Sequence, residues 1–130
     1  MADITPPLPE QRQLIQSYGG GGFRIAGVDY SGSVLIEPER TQLWPVTDPA
    51  QIDLADLATL TSSIGPKPPG GAVLLLGTGA EIAPVDTSLR TALRGLGIGL
   101  EIMGTGAACR TFNVLLAEER AVIATLIAVS

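Results

Sequence analysis

Ala72-Val73-Leu74-Leu75-Leu76, closed by Gly77-Thr78-Gly79, is an uninterrupted apolar run of strand length that ends in a turn. A strand with one wet face alternates apolar and polar residues. One without a polar position is covered on both faces, as in sheets flanked by helices. The residues that follow carry the rest of such an architecture. Pro84 and Asp86 introduce a helix from Thr87 to Leu96 with Leu89, Leu93 and Leu96 on one face, and Gly97 stands where a C′ residue ends a helix. Gly99-Leu100-Glu101-Ile102-Met103 is a second short strand. Thr105 to about Glu118 is a further helix with Ala108, Phe112, Leu115 and Leu116 inward. Arg120 to Val129, apolar and β-branched, is read as a last buried strand. No Gly or Pro separates it from the preceding helix, so one helix continuing to Val129 is the rival reading.

Before the central run, apolar residues at Ile52, Leu54, Leu57, Leu60 and Ile64 form a helical stripe, and Gly65 to Gly71 is punctuation. Further upstream, Phe23 to Tyr30 alternates as a strand. Ser31-Gly32 turns it into a second strand, Ser33 to Glu37, and Thr41 to Trp44 is a short third one. The expected hairpin thus joins Phe23–Tyr30 to Ser33–Glu37. The run Gly19 to Gly22 is a flexible or tightly turned loop after an apolar anchor at Leu14, Ile15 and Tyr18. Met1 to about Gln13, with three prolines, reads as a mobile tail, leaving residues 14–130 as one α/β domain. The expected fold is a three-layer α/β domain with a central mixed sheet, flanking helices and an N-terminal hairpin.

Composition excludes several function classes. The 130-residue chain is 45% apolar and 16% charged, too apolar for disorder, and no stretch has the length of a spanning helix. The N-terminus has neither the basic nor the apolar region of a signal peptide, and with the single Cys109 it suits the cytoplasm. The net charge is −5, with one lysine and scattered arginines, so nucleic acid is not an expected partner. The chain has no histidine, which removes His-based triads, His general bases and nearly every zinc site. No metal or cofactor is expected.

Ligands of open α/β sheets bind beyond the carboxyl ends of strands. Two such ends are marked by glycine here: Gly77-Thr78-Gly79, and Met103-Gly104-Thr105-Gly106 at a helix start. If the strands are parallel neighbours, both loops share one edge, and backbone amides at the second are suited to an anion. Arg110 and Asn113, three apart on the helix, are placed toward that edge, Arg110 to fork an anion and Asn113 to tie loop backbone. Gly77, Thr78, Gly79, Met103, Thr105, Arg110 and Asn113 are therefore candidate ligand-binding residues. The competing reading is structural: glycines let the chain turn, and Arg110 pairs with Asp86, Glu101 or Glu118. Cys109, near a helix N-terminus and beside Arg110, is a weak candidate for a reactive thiol. Its place on the inward stripe and the lack of a His base favour core packing. Asp53 and Asp56 share a solvated first turn, and no catalytic role is assigned to them.

Taken together, Tyr18, Gly22-Phe23-Arg24-Ile25, Gly27, Tyr30-Ser31-Gly32-Ser33-Val34-Leu35-Ile36, Leu75-Leu76-Gly77-Thr78-Gly79 and Glu101-Ile102-Met103-Gly104-Thr105 with Ala107 to Leu115 carry a resemblance. From about Tyr18 to Leu126 the chain resembles a small single-domain family that includes mitochondrial respiratory complex I assembly factor 3 and many uncharacterised bacterial and archaeal proteins. The resemblance implies a three-layer α/β fold with a central mixed sheet and no settled enzymatic activity. For the mitochondrial members it implies complex I assembly with a partner factor. Two departures stand out: Glu119 replaces the family's usual Gly, and Gly104 and Gly106 stand where many members have a polar residue, which implies an unusually free loop. The expected function is a non-enzymatic interaction or assembly-factor module. The alternative is a small-molecule or anion-binding domain, conceivably an enzyme, at the glycine-rich strand ends.

Overall fold

A computed structural model describes residues 12–53 and 71–130. The expected helical stripe from Leu54 onward, the punctuation up to Gly70, Asp56 and the first eleven residues lie outside the described residues. Eight strands and two helices follow in order: β1 Ile15–Gly19, β2 Gly22–Ile25, β3 Val28–Ser31, β4 Val34–Glu37, β5 Arg40–Leu43, β6 Ala72–Gly77, α1 Thr87–Gly95, β7 Ile98–Met103, α2 Thr105–Ala117 and β8 Val122–Leu126. Five of the strands form a mixed sheet in the order β5-β4-β8-β6-β7, with β6 parallel to both β7 and β8 and β4 antiparallel to β5 and β8.

The central run behaves as its composition demands. Leu74, Leu75 and Leu76 in β6 have no exposed surface, and every residue of β8 is buried. Alternate β6 side chains enter two cores. Leu75 joins Val34, Ile36, Val122, Ala124 and Leu126 beneath Phe112 and Leu116 of α2. Leu74 and Leu76 join Leu35, Ile123 and Ile127 beneath Leu89 and Leu93 of α1, with Trp44 and Val46 completing that side. Trp44 is thus a core plug. The β6-α1-β7 crossover travels outward across the sheet and β7-α2-β8 travels back. Crossovers of one hand then put their helices on opposite faces, which produces the three layers.

The N-terminal strands differ from the sequence reading. Phe23 to Tyr30 is two strands, because Ala26 and Gly27 both take positive φ (49° and 82°) and turn the chain between β2 and β3. Strand β4 then leaves for the large sheet, so the expected pairing of Phe23–Tyr30 with Ser33–Glu37 does not form. A turn with positive φ at both central residues matches strand twist better than the Ser31-Gly32 dipeptide does. The apolar anchor is itself a strand, β1, and the glycine run is the tight β1–β2 turn, with Gly20 and Gly21 at φ 62° and 83°. The chain is already tied at Gln13, whose N–H donates to the Pro38 carbonyl at 3.0 Å. Ile15, Phe23 and Ile25 carry this three-stranded meander into the core under α2.

The rival continuous helix to Val129 does not occur. Helix α2 ends in a Schellman arrangement, the Glu119 N–H donating to Leu116 O and the Arg120 N–H to Leu115 O, both at 3.0 Å. Its C′ residue is Glu119, in left-handed conformation at φ 58°. The stop is made by backbone geometry, with no Gly or Pro to announce it. A glycine would take that conformation without a Cβ penalty.

Candidate functional site

Strands β6 and β7 are parallel neighbours with Gly77 opposite Met103, so the two glycine loops do share one edge. Gly77 is where α2 seats: a Cβ there would lie 3.0 Å from the Thr105 Cα and 2.9 Å from a Leu126 methyl. The Thr105 N–H donates to Gly79 O at 2.8 Å, fastening the helix start to the first loop. The fully buried Thr105 hydroxyl accepts from the Gly79 N–H at 3.0 Å and donates to Ile127 O at 2.7 Å. Thr78, also buried, donates through Oγ1 to Glu81 O at 2.8 Å and accepts from the Ala83 N–H at 3.0 Å. Its own N–H donates to Met103 O at 3.0 Å. Both hydroxyls therefore hold the strand ends together. Buried polar groups left unpaired are costly, and these are paired with backbone.

Arg110 and Asn113 do not join that edge. At 100° per residue, Arg110 lies about 140° around α2 from Thr105, and a helix that turns Thr105 into the sheet turns Arg110 outward. Arg110 is exposed and makes no ion pair with Asp86, Glu101 or Glu118. Asn113 grips a strand instead of a loop. Its Oδ1 accepts from the Ile15 N–H at 2.9 Å and its Nδ2 donates to Ile15 O at 2.8 Å. It engages both backbone groups of Ile15, clamping the meander to α2. Met103 is half-buried against the core beneath α2. The seven candidate residues thus divide: Gly77, Thr78, Gly79, Met103 and Thr105 come together, while Arg110 and Asn113 stand apart from them and from each other's roles.

The thiol candidate is corrected. Cys109 is 4% exposed and packs in the core beside Phe112. Burial pushes its thiol up to about 12, and the neighbouring Arg110 charge opposes this only in part. The reactive species is the thiolate, so this side chain is an apolar filler at neutral pH. The α2 loop is also less free than its glycines imply. Gly104 is the N-cap at ordinary extended angles, φ −63° and ψ 154°, and a Cβ on Gly106 would overlap the Tyr18 hydroxyl. Gly106 lets the Tyr18 ring of β1 lie against the helix.

A concavity of about 360 Å³ lies elsewhere, on the outer face of the meander, lined by Ser17, the glycine run, Arg24, Asp29 and Ser31. Arg24 and Asp29, opposite each other on β2 and β3, form an ion pair at 3.0 Å across it. The sequence does not announce it, because its polar residues come from three strands whose registry depends on the two-residue turns. Among the described residues no group of three or more His, Cys, Asp or Glu is arranged to hold a metal. Among them, too, no helix is long and apolar enough to cross a membrane.

Comparison with known proteins places these features in a family. The family described as "Protein of unknown function (DUF498/DUF598)" matches residues 15–127. An uncharacterised Rhodobacter capsulatus protein is 40% identical over 87% of this chain and 82% of its own length. The NADH dehydrogenase [ubiquinone] 1 alpha subcomplex assembly factor 3 of Xenopus tropicalis is 31% identical over 88% of this chain, which spans 60% of that relative. The human protein of the same name is 31% identical over 90% of this chain and 61% of its own. Among solved structures, a Bartonella henselae chain described as an outer membrane protein is 39% identical, with TM-score 0.79 over 93% of this chain and 98% of that one. A Bordetella pertussis Mth938-like domain solved by NMR is 28% identical, with TM-score 0.78 over 98% and 92%. With all eight described strands and both described α-helices inside the matched segment, the chain belongs to the DUF498/DUF598 family.

Proposed function

We propose that this chain is an assembly-factor-like interaction module, one that acts by holding another protein, in the cytoplasm, rather than by turning over a substrate. The observation that carries this reading is the use made of the strand-end loops. The Thr78 and Thr105 hydroxyls, the polar side chains best placed for a ligand, are engaged with backbone and hold three strand ends in place. The likeness to proteins named as assembly factors of NADH dehydrogenase supports it from a second side. The partner in this reading is a subunit or assembly intermediate of an NADH dehydrogenase complex.

The test is affinity purification of the tagged full chain from its own cells, with immunodetection of NADH dehydrogenase subunits, together with a deletion strain. The expected result is retention of a defined subset of subunits and less assembled complex in the deletion. Normal assembly in the deletion strain with no subunit retained would overturn the reading. A second reading, a small anionic ligand, is favoured by one observation: the Arg110 guanidinium is exposed and has no ion-pair partner among the described residues. In that case anionic metabolites raise the melting temperature of the wild type and not of Arg110→Ala, and no shift with any of them removes it.

A further inference from the structure

The outward face of α2 is unusual for a helix that meets solvent. Arg110 is the only charged residue in its thirteen positions. The exposed positions Arg110, Val114 and Glu118 lie four apart, on one ridge of the helix surface, and Val114 is 57% exposed. Among the described residues neither the Arg110 guanidinium nor the Glu118 carboxylate has an ion-pair or hydrogen-bond partner. Thr111 and Ala117, which flank the ridge, are small enough for a close helix approach.

We propose that this ridge is an isologous interface on which a second copy of the chain docks, α2 against α2 in antiparallel sense, with Val114 on the two-fold axis. A two-fold contact brings residue i against residue j and j against i. With Val114 at the centre, the residue opposite Arg110 is Glu118 of the other copy, since each lies four positions from the axis. Both charged pairs form at once, about 6 Å to either side of the axis at 1.5 Å rise per residue. The two valines cover each other, and Ala117 faces Thr111 across the contact. The opposite signs within a single ridge select the occupant. A chain of net charge −5 that presents one cation and one anion symmetrically about an apolar residue is complementary to itself. A single pair of helices makes a small interface, so the dimer is weak and reversible, and its charged pairs make it salt-sensitive. The proposal does not rest on the assembly-factor reading.

Sedimentation velocity of the full chain from about 10 µM to about 0.5 mM, the range for a contact of this size, is the test. The wild type is expected to show concentration-dependent dimerisation that weakens at high salt. Arg110→Glu and Glu118→Arg each place like charges opposite one another and are expected to raise the dissociation constant at least about tenfold. The combined Arg110→Glu, Glu118→Arg variant restores the pairing in reverse and returns to within about threefold of wild type. Both substituted positions are exposed, and circular dichroism verifies that each variant folds. A wild type that stays monomeric throughout the range overturns the proposal. So does a dimer that the single reversals leave unchanged, or one that the double variant fails to restore. If the ridge variants instead release an NADH dehydrogenase subunit from a monomeric wild type, the assembly reading stands and the second copy is excluded.

Discussion

Replacing Glu119 by glycine should stabilise the protein, although it removes a side chain and gives the unfolded chain more freedom. Glu119 is the C′ residue of α2, at φ 58°, and its backbone N–H completes the Schellman pair with Leu116 O. A residue with a Cβ pays about 1–2 kcal/mol in the left-handed region. Glycine avoids that strain and returns about 0.5–1 kcal/mol through its larger unfolded-state entropy. A carboxylate close to the helix C-terminus is also disfavoured by the macrodipole, by a few tenths of a kcal/mol at an exposed site. The side chain is exposed and makes no hydrogen bond or ion pair among the described residues, so nothing else is lost. The net expectation is a gain of about 1 kcal/mol, seen in urea as a midpoint about 0.5 M higher at unchanged slope. Glu119→Gln removes the charge and keeps the Cβ; it should recover only the few tenths that belong to the dipole. A Glu119→Gly variant no more stable than Glu119→Gln would show that left-handed strain is not what this residue costs.

Asn113→Leu keeps the side chain's bulk and removes both bonds to the Ile15 backbone, leaving that strand edge unpaired. It should cost about 1–3 kcal/mol, with hydrogen exchange accelerated in β1 ahead of the large sheet. Thr125, without exposed surface in β8, has a hydroxyl with no hydrogen-bond partner among the described residues. Thr125→Val is nearly the same shape, and thermal or urea unfolding should find it about 1 kcal/mol more stable; a loss of stability would mean that the hydroxyl is paired. Cys109 should resist thiol reagents in the folded protein at neutral pH and react fully in denaturant. Because burial raises its folded pKa, the unfolded chain gives up this proton first as pH rises. The Cys109 contribution to stability is thus intact below the ordinary thiol range and declines between about 9 and about 12. Comparison with Cys109→Ala across that range isolates it, and identical slopes for the two proteins would contradict the burial.

The loops and the residues assigned to them were unequally legible. Placing Gly77-Thr78-Gly79 and Gly104-Thr105 on one edge needed only two consecutive parallel strands, and the crossover pattern implies those. Thr78 bonds within its own loop, to Glu81 and Ala83, but what Thr105 does depends on Ile127, which approaches only once β8 has entered between β4 and β6. The type and place of Asn113 point to a residue that ties backbone, but its partner lies 98 positions earlier, in a strand whose sequence shows only an apolar anchor. Arg110 was misplaced for a different reason. Spacing along a helix gives relative direction, and the absolute direction follows from which neighbours the sheet buries.

The amino-acid sequence by itself determined what depends on local periodicity and composition. That includes the doubly covered strand β6, both described helices within a residue or two, the absence of histidine chemistry, and the identity of the family. Tertiary structure alone decided how β3 and β4 part into separate sheets, where the chain turns left-handed at Glu119 without a glycine, and which polar side chains are spent on the fold. The parting of β3 from β4 and the roles of Thr105 and Asn113 rest on hydrogen bonds and packing between segments distant in the chain, whose free energy is set by who the neighbour is and is therefore not encoded in any short stretch.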